Sequence, residues 1–128
     1  MKTEIENTSV FIGGVEYAPV NNLNKNAETY DGMPYVIIRT YSAGVHMGYL
    51  KKRESTLAGI EVELVNSRRV YKWSGAMTLS CLAMEGTKNP EKCQFTQPVN
   101  SIELVAIEII KVSENGFNSL NSVPVWKV

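Results

Sequence analysis

Residues 60–73 read "IEVELVNSRRVYKW", and the period of this stretch decides the fold class. "IEVELV" alternates apolar and acidic residues, as a strand with one buried face does. Asn66-Ser67 reads as a turn, after which "RRVYKW" alternates again. Extended, it places Arg69, Tyr71 and Trp73 on one face and Arg68, Val70 and Lys72 on the other. Two neighbouring strands joined by a turn, with no helix between them, indicate antiparallel pairing.

The same pattern continues outward. Upstream, "PYVIIRTY" (34–41) is β-branched and aromatic, "VHMGYLKKR" (45–53) alternates, and Ser42-Ala43-Gly44 joins them as a hairpin. "SVFIGGVEYAPV" (9–20) predicts another hairpin about Gly13-Gly14. "NNLNKNAETYDGM" (21–33) is Asn-rich and aperiodic, a flexible connection ending in the turn signal Asp31-Gly32. Downstream, "GAMTLSCLAMEG" (75–86) has helical spacing, with Ser74 as its cap and Gly86 as its stop. A polar loop, "TKNPEKCQFTQPVN" (87–100), leads to the long strand "SIELVAIEIIKV" (101–112), and Ser113 caps a short helix through Leu120. The apolar tail "SVPVWKV" (122–128) is expected to dock, on a neighbouring subunit. The sum is an α+β domain: a mainly antiparallel β-sheet of about six strands with one or two short helices packed on it. Residues 1–33 form the N-terminal hairpin and flexible connection, and 34–128 the core domain. A small β-barrel is the alternative architecture.

Composition narrows the function classes. The chain has 128 residues, with thirteen basic and thirteen acidic side chains, so no global field draws it to nucleic acid polymers or anionic membranes. No apolar run approaches the ~20 residues that span a bilayer, and "MKTEIENTSV" lacks the apolar centre of a signal peptide. Cys81 and Cys93 are expected as reduced thiols. With a single histidine, the usual ligand sets of a metal site are missing. Phosphate-loop, dinucleotide-binding and serine-elbow motifs are absent too, so neither cofactor nor metal is expected.

Candidate site residues follow from chemistry at a spacing. His46, between Gly44 and Gly48 in "AGVHMG", is either a ligand contact or a strand residue beside a turn and a close backbone approach. Arg39, Arg68 and Arg69 lie in strands where guanidinium groups can gather, and their forked geometry matches phosphate oxygens. Tyr41, Trp73 and Phe95 offer ring faces for stacking. "RRVYKWSGA" adds a helix N-terminus at Ser74-Gly75, which favours an anion. As an enzyme, the chain would have to use His46 with Glu61 or Glu63 on a phosphodiester, without a metal cluster.

"PYVIIRTYSAGVHMGYL", "RRVYKWSGAMTLSCLAMEGT" and "VNSIELVAIEII" resemble a family of small, largely uncharacterised phage and prophage proteins with AGVH-x-G and RR-x-Y-x-W-x-GA blocks. The resemblance spans residues 34–127, and the opening "GGVEYAPV" with its spacer fits it. By size, sheet and two helices, the chain is also similar to the first Thoeris anti-defence family. Those phage proteins sequester cyclic ADP-ribose isomers at subunit interfaces without cleaving them. The resemblance implies a homo-oligomer in the host cytoplasm that binds a small nucleotide-derived ligand, with Arg39 and Arg68 as phosphate partners and Phe95 or Trp73 as the adenine platform. Late in the chain the only basic residues are Lys111 and Lys127, which puts in doubt any site requiring a C-terminal arginine. The rival expectation is a phage structural or host-protein-binding factor with no small-molecule ligand.

Overall fold

The computed structural model describes Val10–Ile12, Val15–Tyr17 and residues 25–127. The first two segments are β1 (Val10–Ile12) and β2 (Val15–Tyr17), an antiparallel pair with Ile12 opposite Val15. The turn expected at Gly13-Gly14 lies outside the described residues, as does the stretch from 18 to 24. From Lys25 onward, the expected flexible connection belongs to the core. Ala27 is buried and its N–H donates to Val112 O, while Glu114 N–H donates to Lys25 O.

The main sheet contains β3 (Tyr35–Thr40), β4 (Val45–Thr56), β5 (Gly59–Lys72), β6 (Gln94–Phe95) and β7 (Val99–Lys111). Their order is β4-β3-β7-β5-β6, every pair antiparallel, and β4 also pairs with β5. Strands β3, β4, β5 and β7 are thus linked in a ring, and the α+β and barrel expectations merge. Strand alternation then makes two cores. Val36, Ile38, Val62, Leu64, Leu104 and Ala106 form one cluster, with Leu50, Ile60, Ile102 and Ile109 packed around it. Tyr35, Ile37, Met47, Val70, Phe95 and Val112 face the other way, against the helices. Each fully buried aliphatic side chain contributes about 1.5–3 kcal/mol.

Asn66-Ser67 does not end a strand. β5 runs straight through it, and Asn66 takes up the left-handed conformation, φ 54°, in a bulge opposite Gly48. Asparagine tolerates both a turn and such a bulge, so the residue type alone does not separate them. The bulge explains Gly48: a Cβ there would lie 3.0 Å from Ser67 Cα, so the sequence expectation of a close backbone approach holds. Gly44 turns the β3–β4 hairpin at φ +88°.

The first helix, α1 (Leu79–Glu85), starts later than its sequence suggests. Thr78, not Ser74, is the cap, its Oγ1 accepting from Cys81 N at 3.1 Å. Residues 74–77 are held off the helix by the loop that follows it. Gly75 sits at φ +82° against the backbone of Lys88 and Asn89, and Lys88 N–H donates to Gly75 O. Gly86 stops α1 as expected, at φ +78°. The second helix, α2 (Glu114–Asn121), is capped by Ser113, whose Oγ accepts from Gly116 N at 2.9 Å. The two helices touch where Gly116 meets the Ala83 carbonyl, a contact closed to any larger residue.

The tail docks on its own subunit. Val125 bridges in parallel to Phe95, and Trp126 N–H donates to Phe95 O at 2.8 Å. β6 and the tail therefore finish one edge of the sheet together.

Candidate functional site

Arg68 is where the strand, the tail and a cleft meet. The bulge at Asn66 brings it opposite Met47, on the helix side of the ring, although it is charged. It is 9% exposed. Nε donates to Thr96 O at 2.9 Å, Nη1 to Val123 O at 3.1 Å, and Nη2, at longer range, to Pro124 O and Phe95 O. Its guanidinium carbon lies 5.3 Å from the Phe95 ring centroid, a cation–π distance. Five N–H donors meet four carbonyl contacts, which leaves one Nη1 hydrogen over. Among the described residues the ion pairs are Lys25–Glu114 and Arg39–Glu108, so no carboxylate neutralises Arg68. A buried cation satisfied only by backbone dipoles keeps its full charge at a desolvation cost.

Arg68 lines a cleft of about 280 Å³ together with Tyr35, Tyr49, Asn66, Phe117 and Asn121, and the tail from Val123 to Val125 forms part of the rim. The Tyr35 ring is gripped edge-on from both sides, 5.0 Å from Tyr49 and 4.9 Å from Phe117, and Tyr30 lies 5.4 Å from Tyr49. Although Tyr35 is only 8% exposed, its hydroxyl has no hydrogen-bond partner among the described residues. Nor is it sealed off, since Ser67 Oγ is the one fully buried side-chain oxygen or nitrogen there without a partner. Burial pushes the Tyr35 phenol well above its ordinary range, with the nearby Arg68 charge pulling the other way. Tyr49 is raised by burial and then by Tyr30, and Arg68 is lowered by burial, partly offset by Tyr35. Both phenols therefore stay neutral O–H donors at physiological pH. The amides of Asn66 and Asn121 are likewise without hydrogen-bond partners among the described residues. The cleft offers one positive charge, two phenols, two amides and aromatic walls, and no acidic side chain.

Of the seven residues singled out from sequence, only Arg68 lines this cleft. Arg39 lies on the strand surface with Nε 2.9 Å from Glu108, already ion-paired. Tyr41 is exposed in the β3–β4 turn, and Arg69 is exposed with its N–H bonded to Thr96 Oγ1. Trp73 is half-buried and packs against the helix-side core. Phe95 is 0% exposed, so it cannot serve as an open stacking platform; its ring is the floor beneath Arg68. His46 is 1% exposed, with Nε2 2.9 Å from Ala43 O, and burial lowers its pKa, so it is a neutral structural group and not a ligand contact. The anion site expected at Ser74-Gly75 falls with the helix start. The cleft's own aromatics, Tyr35 and Tyr49, were legible only as members of alternating strands. Phe117 and Asn121 gave no signal until α2 was placed against β3.

A family model described as a domain of unknown function (DUF6948) matches residues 33–120. The chain belongs to the DUF6948 family. No curated protein and no solved structure matches it. The DUF6948 match takes in Tyr35, Tyr49, Asn66, Arg68 and Phe117, and stops one residue before Asn121 and the tail that complete the cleft.

A second concavity, about 270 Å³, lies at the far end of the β4–β5 hairpin and has the opposite character: Lys52 with Glu54, Glu61, Glu63 and Glu103. Its carboxylates repel anions, and among the described residues no three metal-ligating side chains converge. Glu61 pairs with Glu54, and His46 with Arg69, eight positions further along β5. At roughly 3.3 Å per residue that is about 26 Å of strand, which separates the expected acid–base pair. Glu63, two positions nearer, is still about 20 Å away along the strand.

Proposed function

We propose that this protein binds a small nucleotide-derived signal in the Arg68 cleft and holds it intact, as a phage counter-defence protein that depletes the signal. The observation that carries the proposal is the buried Arg68 guanidinium, without a carboxylate partner among the described residues, at the base of an aromatic cleft. An anion entering there supplies the missing counter-charge, and a planar base meets Tyr49 and Phe117. One charge-assisted bond contributes about 1.5–3 kcal/mol and a stacked base about 1–3 kcal/mol. With the phenol and amide bonds the gross sum is about 8 kcal/mol, which before the cost of ordering sets micromolar binding as the upper limit, whereas depletion of a scarce signal calls for nanomolar, about 12 kcal/mol. A second subunit laid over the open side would supply the remainder by keeping water out and not by adding charge, which is why a homo-oligomer belongs to the proposal.

The test is to incubate the purified protein, in excess, with cyclic nucleotides and cyclic ADP-ribose isomers, and to measure the free pool before and after heat denaturation. Depletion followed by intact release is the expected result. A new product would make the protein an enzyme. No depletion of any ligand would overturn the proposal and favour a host-protein-binding factor, for which the exposed Val99, Val105 and Ile107 along β7 are the supporting observation.

A further inference from the structure

The charge and size of the cleft narrow the ligand class. Among its lining residues Arg68 is the single charged one, so the site carries one unit of positive charge. A phosphate monoester brings about −1.5 to −2 at neutral pH. Its surplus charge would have to be taken from water into a cleft with no second cation, and a ligand with two phosphates faces the same deficit. A phosphodiester carries a single negative charge and leaves nothing uncompensated. The cleft's 280 Å³ lies just under the usual range of ligand pockets, about 300–1,000 Å³, which suits a ligand with one base and not two. Around the charge, Tyr35 lines the cleft with the residue 8% exposed and its hydroxyl without a partner among the described residues, so it adds a donor beside Arg68. Asn66 on the β5 bulge and Asn121 at the end of α2 each present an amide able to give and accept a bond, the combination that a base edge or a ribose hydroxyl requires.

We infer that the cleft takes a cyclic mononucleotide, one base with one phosphodiester: the phosphodiester at Arg68 and Tyr35, the base against Tyr49 and Phe117, and its polar edge or sugar at Asn66 and Asn121. This rests on the ligand-binding reading above and restricts it to ligands with a single phosphate. The experiment is isothermal titration of the full chain with the 3′,5′-cyclic monophosphates of adenosine, guanosine, cytidine and uridine. Controls are the matching nucleosides, the 5′-monophosphates, a cyclic dinucleotide and cyclic ADP-ribose. At least one cyclic mononucleotide should bind at one per chain, tenfold or more tighter than its nucleoside and its 5′-monophosphate. Asn121→Ala, at an exposed position, should weaken that binding about fivefold or more with unfolding unchanged, and Arg68→Lys should weaken it while retaining preference for the anion. If a two-phosphate ligand binds and no cyclic mononucleotide does, this inference is overturned and the sequestering function stands. If nothing binds, both fall. Binding untouched by Asn121→Ala, Asn66→Ala and Arg68→Lys together would place the ligand elsewhere and overturn the assignment of the cleft.

Discussion

Arg68→Met measures what the guanidinium does for the fold. Methionine keeps the length and apolar stem of the side chain and removes the charge and its donors. The two shortest bonds, to Thr96 O at 2.9 Å and Val123 O at 3.1 Å, are charge-assisted and together gross about 3–6 kcal/mol. Relief of the buried charge returns about half of that, since burying an unpaired cation is itself unfavourable. The expected net loss is about 2–3 kcal/mol, or about 8–12 °C in Tm for a chain of this size. Urea unfolding gives the first number. Hydrogen exchange gives the location: the Trp126 amide, bonded to Phe95 O, should lose protection because Arg68 binds the tail at Val123 and Pro124. Arg68→Lys should recover less than half, because one ammonium cannot span carbonyls arranged for a fork. If Arg68→Met unfolds within about 0.5 kcal/mol of the wild type and Trp126 keeps its protection, the guanidinium is not what fastens the tail.

Two further predictions concern stability. Gly116→Ala drives a Cβ into the Ala83 carbonyl, a backbone atom that cannot step aside, and should cost about 3 kcal/mol, seen as a lower urea midpoint; an unchanged midpoint would show that the helices can slide apart at no cost. His46 is held below its ordinary pKa by burial, so the unfolded chain takes up its proton first as pH falls. Stability should therefore be level above about pH 6.5 and decline as pH drops toward the folded value. NMR titration of the lone imidazole should give a midpoint under 6.5, and a midpoint at or above it would contradict the buried placement.

Period two was enough to read the sheet from sequence. Ile60, Val62 and Leu64 alternate because one face of β5 is buried, and the hairpin at Gly44 follows from the only residue type that accepts its φ without strain. Ser113 and Gly86 marked helix ends correctly because capping is local chemistry. Two misreadings have non-local causes. Asn66 reads as a turn by residue type, and only its neighbours β4 and β7 on either side make it a bulge. Ser74 and Thr78 are both able to cap, and the choice between them was made by Lys88 and Asn89 pressing on Gly75. The site was less legible still. Arg68 and Arg69 look alike in sequence, but one is buried and the other exposed, and the carbonyl partners that separate them come from the loop at Phe95–Thr96 and the tail, 27 to 56 positions away. Phe95 sits in a stretch that reads as a polar loop, yet it is the floor of the core beneath Arg68.

The ring of strands also implies an order of assembly. The β4–β5 hairpin is closed by Thr56 and Gly59, three positions apart, whereas the β3–β7 seam is closed by pairs such as Arg39 and Glu108, 69 positions apart. Chain entropy charges the longer closure about 3 kcal/mol more. The hairpin is thus the natural nucleus, and the β3–β7 seam zips last. When the native protein loosens, the same seam is the first to part, baring the β3 edge and its buried "VII" to other chains.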